Sequence, residues 1–285
     1  MNTVKHPRKY NAGNRRNPKR LTGNKQPDQI FQISRSEHRM IESLQQKKYR
    51  SQYRQFMLEG IKLLKEAVAA QYPLSQIYIS RSAFEKNLLA DVPVNPNNIK
   101  VIRDSEIRSM SSLKNPEGVV AIGKIPQSKF LAVDSEICPF LYLWEINDPG
   151  NLGTILRTAR WFGVRHVLLS PNSADPFSPK VVRGSMGAIF YISIRQNVAP
   201  DDLFDHCIQQ NIAVLCADPT GAPVLENMPK RWGLVLGNES HGLPEAVKHV
   251  AHDIIAIPKY GNGESLNVAV SAGILLYELL RQEKA

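Results

Sequence analysis

NDPGNLGTILRTARWFGV at residues 147–164 is the first of three segments that decide how the second half of this chain folds. The others are LVLGNESHGLPEAV at 234–247 and IPKYGNGESLNVAVSAGILLYELL at 257–280. Each is polar, contains glycine, and leads into or out of an apolar run. A glycine in such a loop lets the backbone approach a ligand closely. The three segments therefore predict a pocket built from several loops.

Short apolar runs surround these segments and alternate with helical stretches, which predicts an α/β fold. The runs are PFLYLWEI, VRHVLLS, AIFYISI, NIAVLCA, WGLVLG and DIIAIP. Continuously apolar strands are typical of a mainly parallel sheet with helices on both faces. We assign this sheet to residues 139–285, and 126–138 has the polarity of a linker.

The chain before the linker has its own α/β pattern over residues 30–125. Apolar residues recur at helical spacing from Ser36, and FMLEGIKLLKEAVAAQ at 56–71 predicts a second, amphipathic helix. Short strands are predicted at 76–80, 99–103 and 118–125. This unit is a small α/β domain.

Positive charge is concentrated at the N-terminus. The net charge is +10, yet residues 1–56 hold 14 lysines and arginines against three acidic residues, so the remainder sums to −1. Residues 1–29 have almost nothing to bury, and we predict that they are disordered. Such a tail is either a solubilising extension or an arm that binds nucleic-acid phosphates.

Several classes of site are excluded by the sequence. There is no G-x-G-x-x-G after the first strand of the second domain, and no Walker or H-E-x-x-H motif. Three cysteines without a C-x-x-C pair predict reduced thiols in the cytoplasm and no zinc site. No apolar run approaches the ~18 residues of a membrane span.

The three segments together resemble the SpoU (TrmH-like) branch of the SPOUT RNA methyltransferases. The resemblance lies in Asn151, Gly153 and Arg157, in the Gly-x-Glu-x-x-Gly unit at 237–242, and in Ser-Leu-Asn-Val at 265–268. It extends more loosely back to about Ser34. It implies methylation of ribose 2′-hydroxyls by S-adenosylmethionine, without a metal. It also implies a trefoil-knotted catalytic domain, a homodimer and an N-terminal RNA-binding domain at residues 30–125.

The resemblance also implies which residues form the site. The cofactor would be held largely through backbone, by Leu236, Gly237, Asn238, Ile257 and Leu266. The catalytic residues would be Asn151, Arg157, Glu239, Ser265 and Asn267.

Arg157 is the residue to which the family resemblance assigns activation of the ribose hydroxyl. Because a guanidinium group is treated as always protonated, we favour a fixed charge that binds phosphate and stabilises the developing alkoxide. A transient proton acceptor is the alternative. We expect the helix to begin near Gly153 or Thr154, with Arg157 in about its first turn.

Other residues near the motifs have two interpretations. Lys180 and Arg183, in SPKVVRGSMGA, either contact RNA phosphates or belong to a capped surface helix. Ser265 suits the N-cap of a helix that starts near Leu266. Lys259 departs from the methionine that is usual there in the family, which leaves fine inferences about the pocket wall open.

The function that follows is S-adenosylmethionine-dependent ribose methylation of structured RNA, with ribosomal RNA favoured over transfer RNA. One alternative is an RNA-binding protein without activity. Another is an enzyme that methylates a base.

Overall fold

The computed structural model describes residues 33–127, 137–223 and 229–282. The predicted tail at 1–29 and most of the predicted linker lie outside these ranges. The helices are α1 Arg35–Ser43, α2 Lys47–Tyr53, α3 Ile61–Ala69, α4 Arg81–Glu85, α5 Asp104–Met110, α6 Pro149–Trp161, α7 Pro179–Gly184, α8 Pro200–Gln209, α9 Glu245–Lys248 and α10 Val268–Gln282. The strands are β1 Gln55–Glu59, β2 Leu74–Ser80, β3 Ile99–Ile102, β4 Val119–Lys124, β5 Phe140–Leu143, β6 His166–Leu169, β7 Ser193–Arg195, β8 Ala213–Ala222, β9 Trp232–Leu236 and β10 Asp253–Ile255.

The first four strands form a mixed sheet in the order β1-β4-β2-β3. β4 pairs antiparallel with β1 and β2, and β2 pairs parallel with β3. Alternate side chains point to opposite faces, so Phe56 and Leu58 pack with α3 while Met57 packs with α1 and α5. This small sheet is buried on both faces.

The prediction of one helix over residues 56–71 was wrong. The segment splits at Gly60 into strand β1 and helix α3. Gly60 has φ of 97°, a conformation that side chains disfavour, so it separates the two elements. Residues 56–59 are all buried, because both faces of this strand are covered.

The last six strands form a parallel sheet in the order β10-β8-β9-β5-β6-β7, which confirms the predicted fold class. One face packs against α6 and α10, with Leu141 and Leu143 pointing into that core. The other packs against α8 and α9, with Phe140 and Tyr142 in it. The predicted strand at 188–194 is shorter than expected, since Ala188–Phe190 forms a 3-10 turn before β7.

The two sheets are joined through α7 and the loop before it. Val181 belongs to the core of the large sheet, and Val182 to a core shared with the small sheet. Arg50 of α2 donates to Asp175 Oδ2 from Nη2 at 2.6 Å, and both side chains are nearly buried. Removing one partner of a buried ion pair costs about 3–5 kcal/mol. The small sheet is therefore fixed beside the carboxyl edge of the large one.

Candidate functional site

The helix that contains the first motif begins earlier than the sequence predicted. α6 starts at Pro149, and Asp148 Oδ1 caps it by accepting from the Asn151 backbone N–H at 2.8 Å. Proline at the first helical position after an aspartate cap is a standard start signal, so Asp148 could have been assigned from sequence. Arg157 consequently lies in the third turn, and its predicted place in the first turn was wrong.

Gly153 of the same motif packs α6 against α7. An added Cβ there would lie 3.0 Å from the Gly184 backbone. The contact brings α7 close enough for Lys180 Nζ to reach Asp148 Oδ2 at 3.5 Å. The pKa of Asp148 is lowered by the Asn151 N–H hydrogen bond and, to a smaller extent, by Lys180.

The second motif forms a closed loop after β9. The backbones of Asn238 and Gly242 donate to each other, at 3.1 and 3.0 Å. Asn238 Oδ1 accepts from two backbone N–H groups within the loop, and its Nδ2 donates to the Glu145 carbonyl oxygen. A Cβ on Gly237 would lie 2.5 Å from the Gly242 carbonyl carbon. Gly237 is therefore required for the loop's own backbone packing, rather than to make space for a ligand.

The third motif ends in the cap of α10. Asn267 Oδ1 accepts from the Ala269 N–H at 2.9 Å and the Val270 N–H at 3.4 Å. The helix starts at Val268 rather than near Leu266. The prediction that Ser265 is the N-cap was therefore wrong; an asparagine, which is an equally good cap, takes that place. Ser265 is exposed in the loop before it.

A relay of side chains joins all three motifs. Asn267 Nδ2 donates to Asn151 Oδ1 at 2.9 Å, and Asn151 Nδ2 donates to Glu239 Oε1 at 3.0 Å. The same carboxylate lies 3.3 and 3.4 Å from the backbone nitrogens of Asp148 and Asn147. Glu239 thus holds the start of α6, while Asn267 holds the start of α10. The relay fixes three loops relative to one another at the carboxyl edge of the sheet.

The relay limits what its members can do chemically. Glu239 already accepts from three donors, so it positions the loops and is poorly placed to take a proton. Both ends of the Asn151 amide are occupied as well. Three of the predicted catalytic residues therefore lie together, and their contacts are those of positioning residues.

Besides Ser265, the relay leaves out one more predicted catalytic residue, Arg157. Its side chain is exposed, and among the described residues no ion pair involves it. It lies about 9 Å along α6 from Asn151, at 1.5 Å per residue, and about 120° around the helix. It therefore lies on a different face of α6 from Asn151.

The residues predicted to hold the cofactor surround the same edge. Leu236 is buried at the end of β9, Ile257 is half-buried against the core, and Leu266 is 52% exposed. Ligands of open parallel sheets bind beyond the carboxyl ends of the strands, which is where these residues lie. Within the described part of the chain, no backbone N–H from 257 to 267 has a hydrogen-bond acceptor.

The two predicted phosphate-binding residues have different environments. Lys180 is 62% exposed and lies beside the start of α6. Arg183 donates from Nη1 to Ser112 Oγ at 2.7 Å and to Glu59 Oε1 at 3.3 Å, and Glu59 is nearly buried. The contacts of Arg183 therefore join α7 to the small sheet, and they argue against a primary role in binding RNA.

Other types of site find no support in the described residues. In the three described ranges, no group of three or more His, Cys, Asp or Glu side chains could hold a metal ion. The same ranges contain no helix that is long and apolar enough to cross a membrane. The cysteines are free, and burial raises the pKa of Cys207 and of Cys216 to about 12.

Two family models match the chain. The SpoU rRNA Methylase family model matches residues 139–277, and the MRM3-like substrate binding domain model matches residues 38–121.

Two curated relatives match along most of their length. An uncharacterized tRNA/rRNA methyltransferase of Synechocystis is 32% identical over 87% of this chain and 91% of its own. The 23S rRNA guanosine 2′-O-methyltransferase RlmP of Bacillus subtilis is 30% identical over 83% of this chain and 92% of its own.

Solved structures of RNA methyltransferases are also similar to this chain. A TrmH-family RNA methyltransferase structure from Porphyromonas gingivalis is 32% identical, with a TM-score of 0.77 over 88% of this chain and 100% of its own. A structure of an AdoMet-bound rRNA methyltransferase from Sinorhizobium meliloti is 28% identical, with a TM-score of 0.73 over 88% of this chain and 97% of its own.

Proposed function

The chain belongs to the SpoU rRNA methylase family, and on that premise we propose that it methylates a ribose 2′-hydroxyl of ribosomal RNA with S-adenosylmethionine. The observation that carries the proposal is the Glu239–Asn151–Asn267 relay, which gathers the three motifs at one edge of the sheet. A protein that had lost its activity would have no need to keep three separate loops in one arrangement. The two curated relatives that match over most of their length are both named as methyltransferases.

The bound cofactor supplies a methyl group on a positively charged sulfur, so the protein has mainly to bind, align and stabilise charge. The backbone at Gly237, Ile257 and Leu266 would hold the cofactor, and the relay would keep these loops in register. That cofactor would donate its methyl group to the ribose oxygen and leave as a neutral thioether, and the hydroxyl proton would pass to solvent water. Alignment of the reacting atoms can supply much of the rate enhancement.

We assign Arg157 to the RNA rather than to the cofactor. An exposed guanidinium can bind two phosphate oxygens with its planar fork and stabilise the alkoxide that develops on the ribose. Because no hydrogen bond joins it to the relay, we propose that the RNA or a second subunit brings the ribose to it. Lys180 would contribute a further phosphate contact beside the start of α6.

We propose a homodimer formed through α10 and its neighbour α6. Val270, Ile274 and Tyr277 form a stripe along α10, and they are 50%, 36% and 54% exposed. Trp161 at the end of α6 is 84% exposed. Such an apolar stripe is typical of an interface. The resemblance further implies the trefoil knot, in which we place the segment from 257 to 267.

The stripe also lies close to Arg157. Thr158, the next residue, packs on α10 at Gly273, 3.8 Å from an added Cβ there. The dimer would therefore bring Arg157 to the subunit boundary, where it can serve a site shared by both subunits. Ile274→Glu should give a monomer in sedimentation velocity, whereas Ile208→Glu, at a 74% exposed position on α8, should not. If the Ile274→Glu variant remained a dimer, the assignment of the interface to α10 would be wrong.

The RNA target is best tested in cells, and cytoplasmic ribosomal RNA is the target we infer. Ribose methylation should be mapped nucleotide by nucleotide in ribosomal and transfer RNA from strains with and without the gene. We expect one ribosomal RNA position to lose its methyl group. A missing transfer RNA ribose mark would redirect the assignment, and a missing base methyl group would support the base-methylating alternative.

A further inference from the structure

Helix α2 carries an exposed aromatic pair that the proposed function does not use. Tyr49 and Tyr53 are one helical turn apart, with ring centroids 6.2 Å apart and planes within 16° of parallel. Tyr53 is 41% exposed and Tyr49 is partly exposed. The rings stack on each other, and the exposed part of Tyr53 leaves ring surface open to a planar group.

The charge around this pair is positive. The sequence KKYRSQYR at 47–54 contains four basic residues and no acid. Lys47 and Lys48 are exposed, and the Lys48 ammonium lies 5.7 Å from the centre of the Tyr49 ring. Aromatic faces beside lysines are the combination that binds single-stranded nucleic acid, with stacking for the bases and cations for the phosphates.

Between the two tyrosines lies the residue that anchors the helix. Arg50 donates to Asp175 Oδ2 from both Nε and Nη2, and its Nη1 donates to the Leu44 carbonyl. Its charge is therefore used internally, and it fixes the orientation of α2. Residues 49 and 53 share a face adjacent to the anchored one.

The anchor leads directly to the catalytic edge. Asp175 lies in the loop after β6, and the preceding Ala174 donates its N–H to the Ile146 carbonyl at 2.8 Å. The next residue, Asn147, donates its backbone N–H to Glu239. The tyrosine pair is thus joined, through the loops after β6 and β5, to the relay at the carboxyl edge of the sheet.

We propose that Tyr49 and Tyr53, with Lys47 and Lys48, form a stacking platform for unpaired nucleotides next to the target ribose. This proposal rests on the proposed function for the identity of the RNA. It deepens that function by assigning the substrate class, which is RNA with unstacked bases at the target rather than a continuous duplex. A duplex leaves its bases stacked on one another and cannot present their faces to the tyrosines.

The test compares two RNA probes and three variants of the full chain. Single-stranded oligoadenylate and a duplex RNA are titrated against wild type, Tyr49→Ala/Tyr53→Ala, Tyr49→Phe/Tyr53→Phe and Lys47→Ala/Lys48→Ala. The tyrosine-to-alanine variant should lose on the order of ten- to a hundredfold in affinity for oligoadenylate, with less than about twofold change for the duplex. The phenylalanine variant should keep its affinity, because it keeps both ring faces.

Salt dependence separates stacking from charge. The lysine variant should bind both probes less tightly and with a shallower salt dependence, whereas the alanine variant of the tyrosines should keep the wild-type slope. Equal losses on both probes, or an unchanged affinity for oligoadenylate in a folded tyrosine-to-alanine variant, would overturn the platform. Methyl transfer by wild type is measured separately, so a protein without activity that still shows the tyrosine effect would contradict only the proposed function.

Discussion

Gly237 shows at the scale of one residue how the cofactor loop is constrained. The Gly242 backbone occupies the space where a side chain would lie, so Gly237→Val should open the loop that Asn238 and Gly242 close. We expect calorimetry to show no measurable S-adenosylmethionine binding. Normal affinity in a folded Gly237→Val protein would place the pocket elsewhere.

Arg157 separates binding from chemistry. The side chain makes no contact with the relay, so Arg157→Ala should leave cofactor affinity nearly unchanged. Single-turnover rates at saturating RNA and cofactor should fall on the order of 10²–10³-fold, as for the loss of one preorganised donor. Arg157→Lys should also be slow, since an ammonium cannot span two oxygens.

Arg108→Ala, which removes an exposed arginine from α5, is the control for charge alone. Near-normal rates in Arg157→Ala would mean that another group stabilises the ribose oxygen.

At the scale of an element, Asn267 both caps the start of α10 and links it to Asn151. Asn267→Ala removes both the cap and the link to Asn151, and should lower the free energy of unfolding by about 0.5–2 kcal/mol. Asn267→Asp keeps a capping oxygen and places a negative charge at a helix N-terminus, which is favourable. It loses the Nδ2 donor to Asn151, so stability should be retained while activity falls. Thermal unfolding beside methyl transfer would measure the two effects.

Ser265→Ala is the control for that pair of variants. It should leave stability unchanged, because the serine does not cap the helix. If Ser265→Ala lost as much stability as Asn267→Ala, Ser265 would have to be the residue that caps the helix.

Helix α7 offers a second pair of contrasting variants. Arg183→Ala leaves the nearly buried Glu59 without its cation, and should lower stability by about 1–3 kcal/mol. Lys180→Ala removes an exposed side chain, so it should weaken RNA binding and its salt dependence without a change in unfolding. If Arg183→Ala weakened RNA binding and Lys180→Ala lowered stability instead, the phosphate contact would be assigned to Arg183.

The sequence predicted the parallel sheet because its six apolar runs are local patterns. It failed where a distant partner decides the outcome. Residues 56–58 begin the segment 56–71, which was predicted as a single amphipathic helix, yet pairing with β4 makes them a strand. Arg183 has a basic neighbourhood in sequence, but Glu59, 124 positions away, accepts its charge. The three motifs were found by resemblance, whereas the relay that joins them depends on side-chain contacts across 88 and 116 positions.

At the scale of the molecule, we propose that the two sheets together form the surface that binds the RNA. The small sheet carries α2, the large sheet carries the three motifs, and α7 contributes residues to the cores of both. The Arg50–Asp175 pair keeps α2 beside the catalytic edge. On the proposed function, a substrate bound by the first half would be presented to the loops of the second half.

The central claim is that these loops transfer a methyl group to a ribose oxygen, and alkaline hydrolysis of the product tests it most directly. The protein is incubated with S-adenosylmethionine labelled in the methyl group and with ribosomal RNA from a strain that lacks the gene. A 2′-O-methyl group blocks cleavage of the adjacent phosphodiester, so the label should appear in an alkali-resistant dinucleotide. Label released in single nucleotides, or no transfer by a protein that binds the cofactor, would contradict the account.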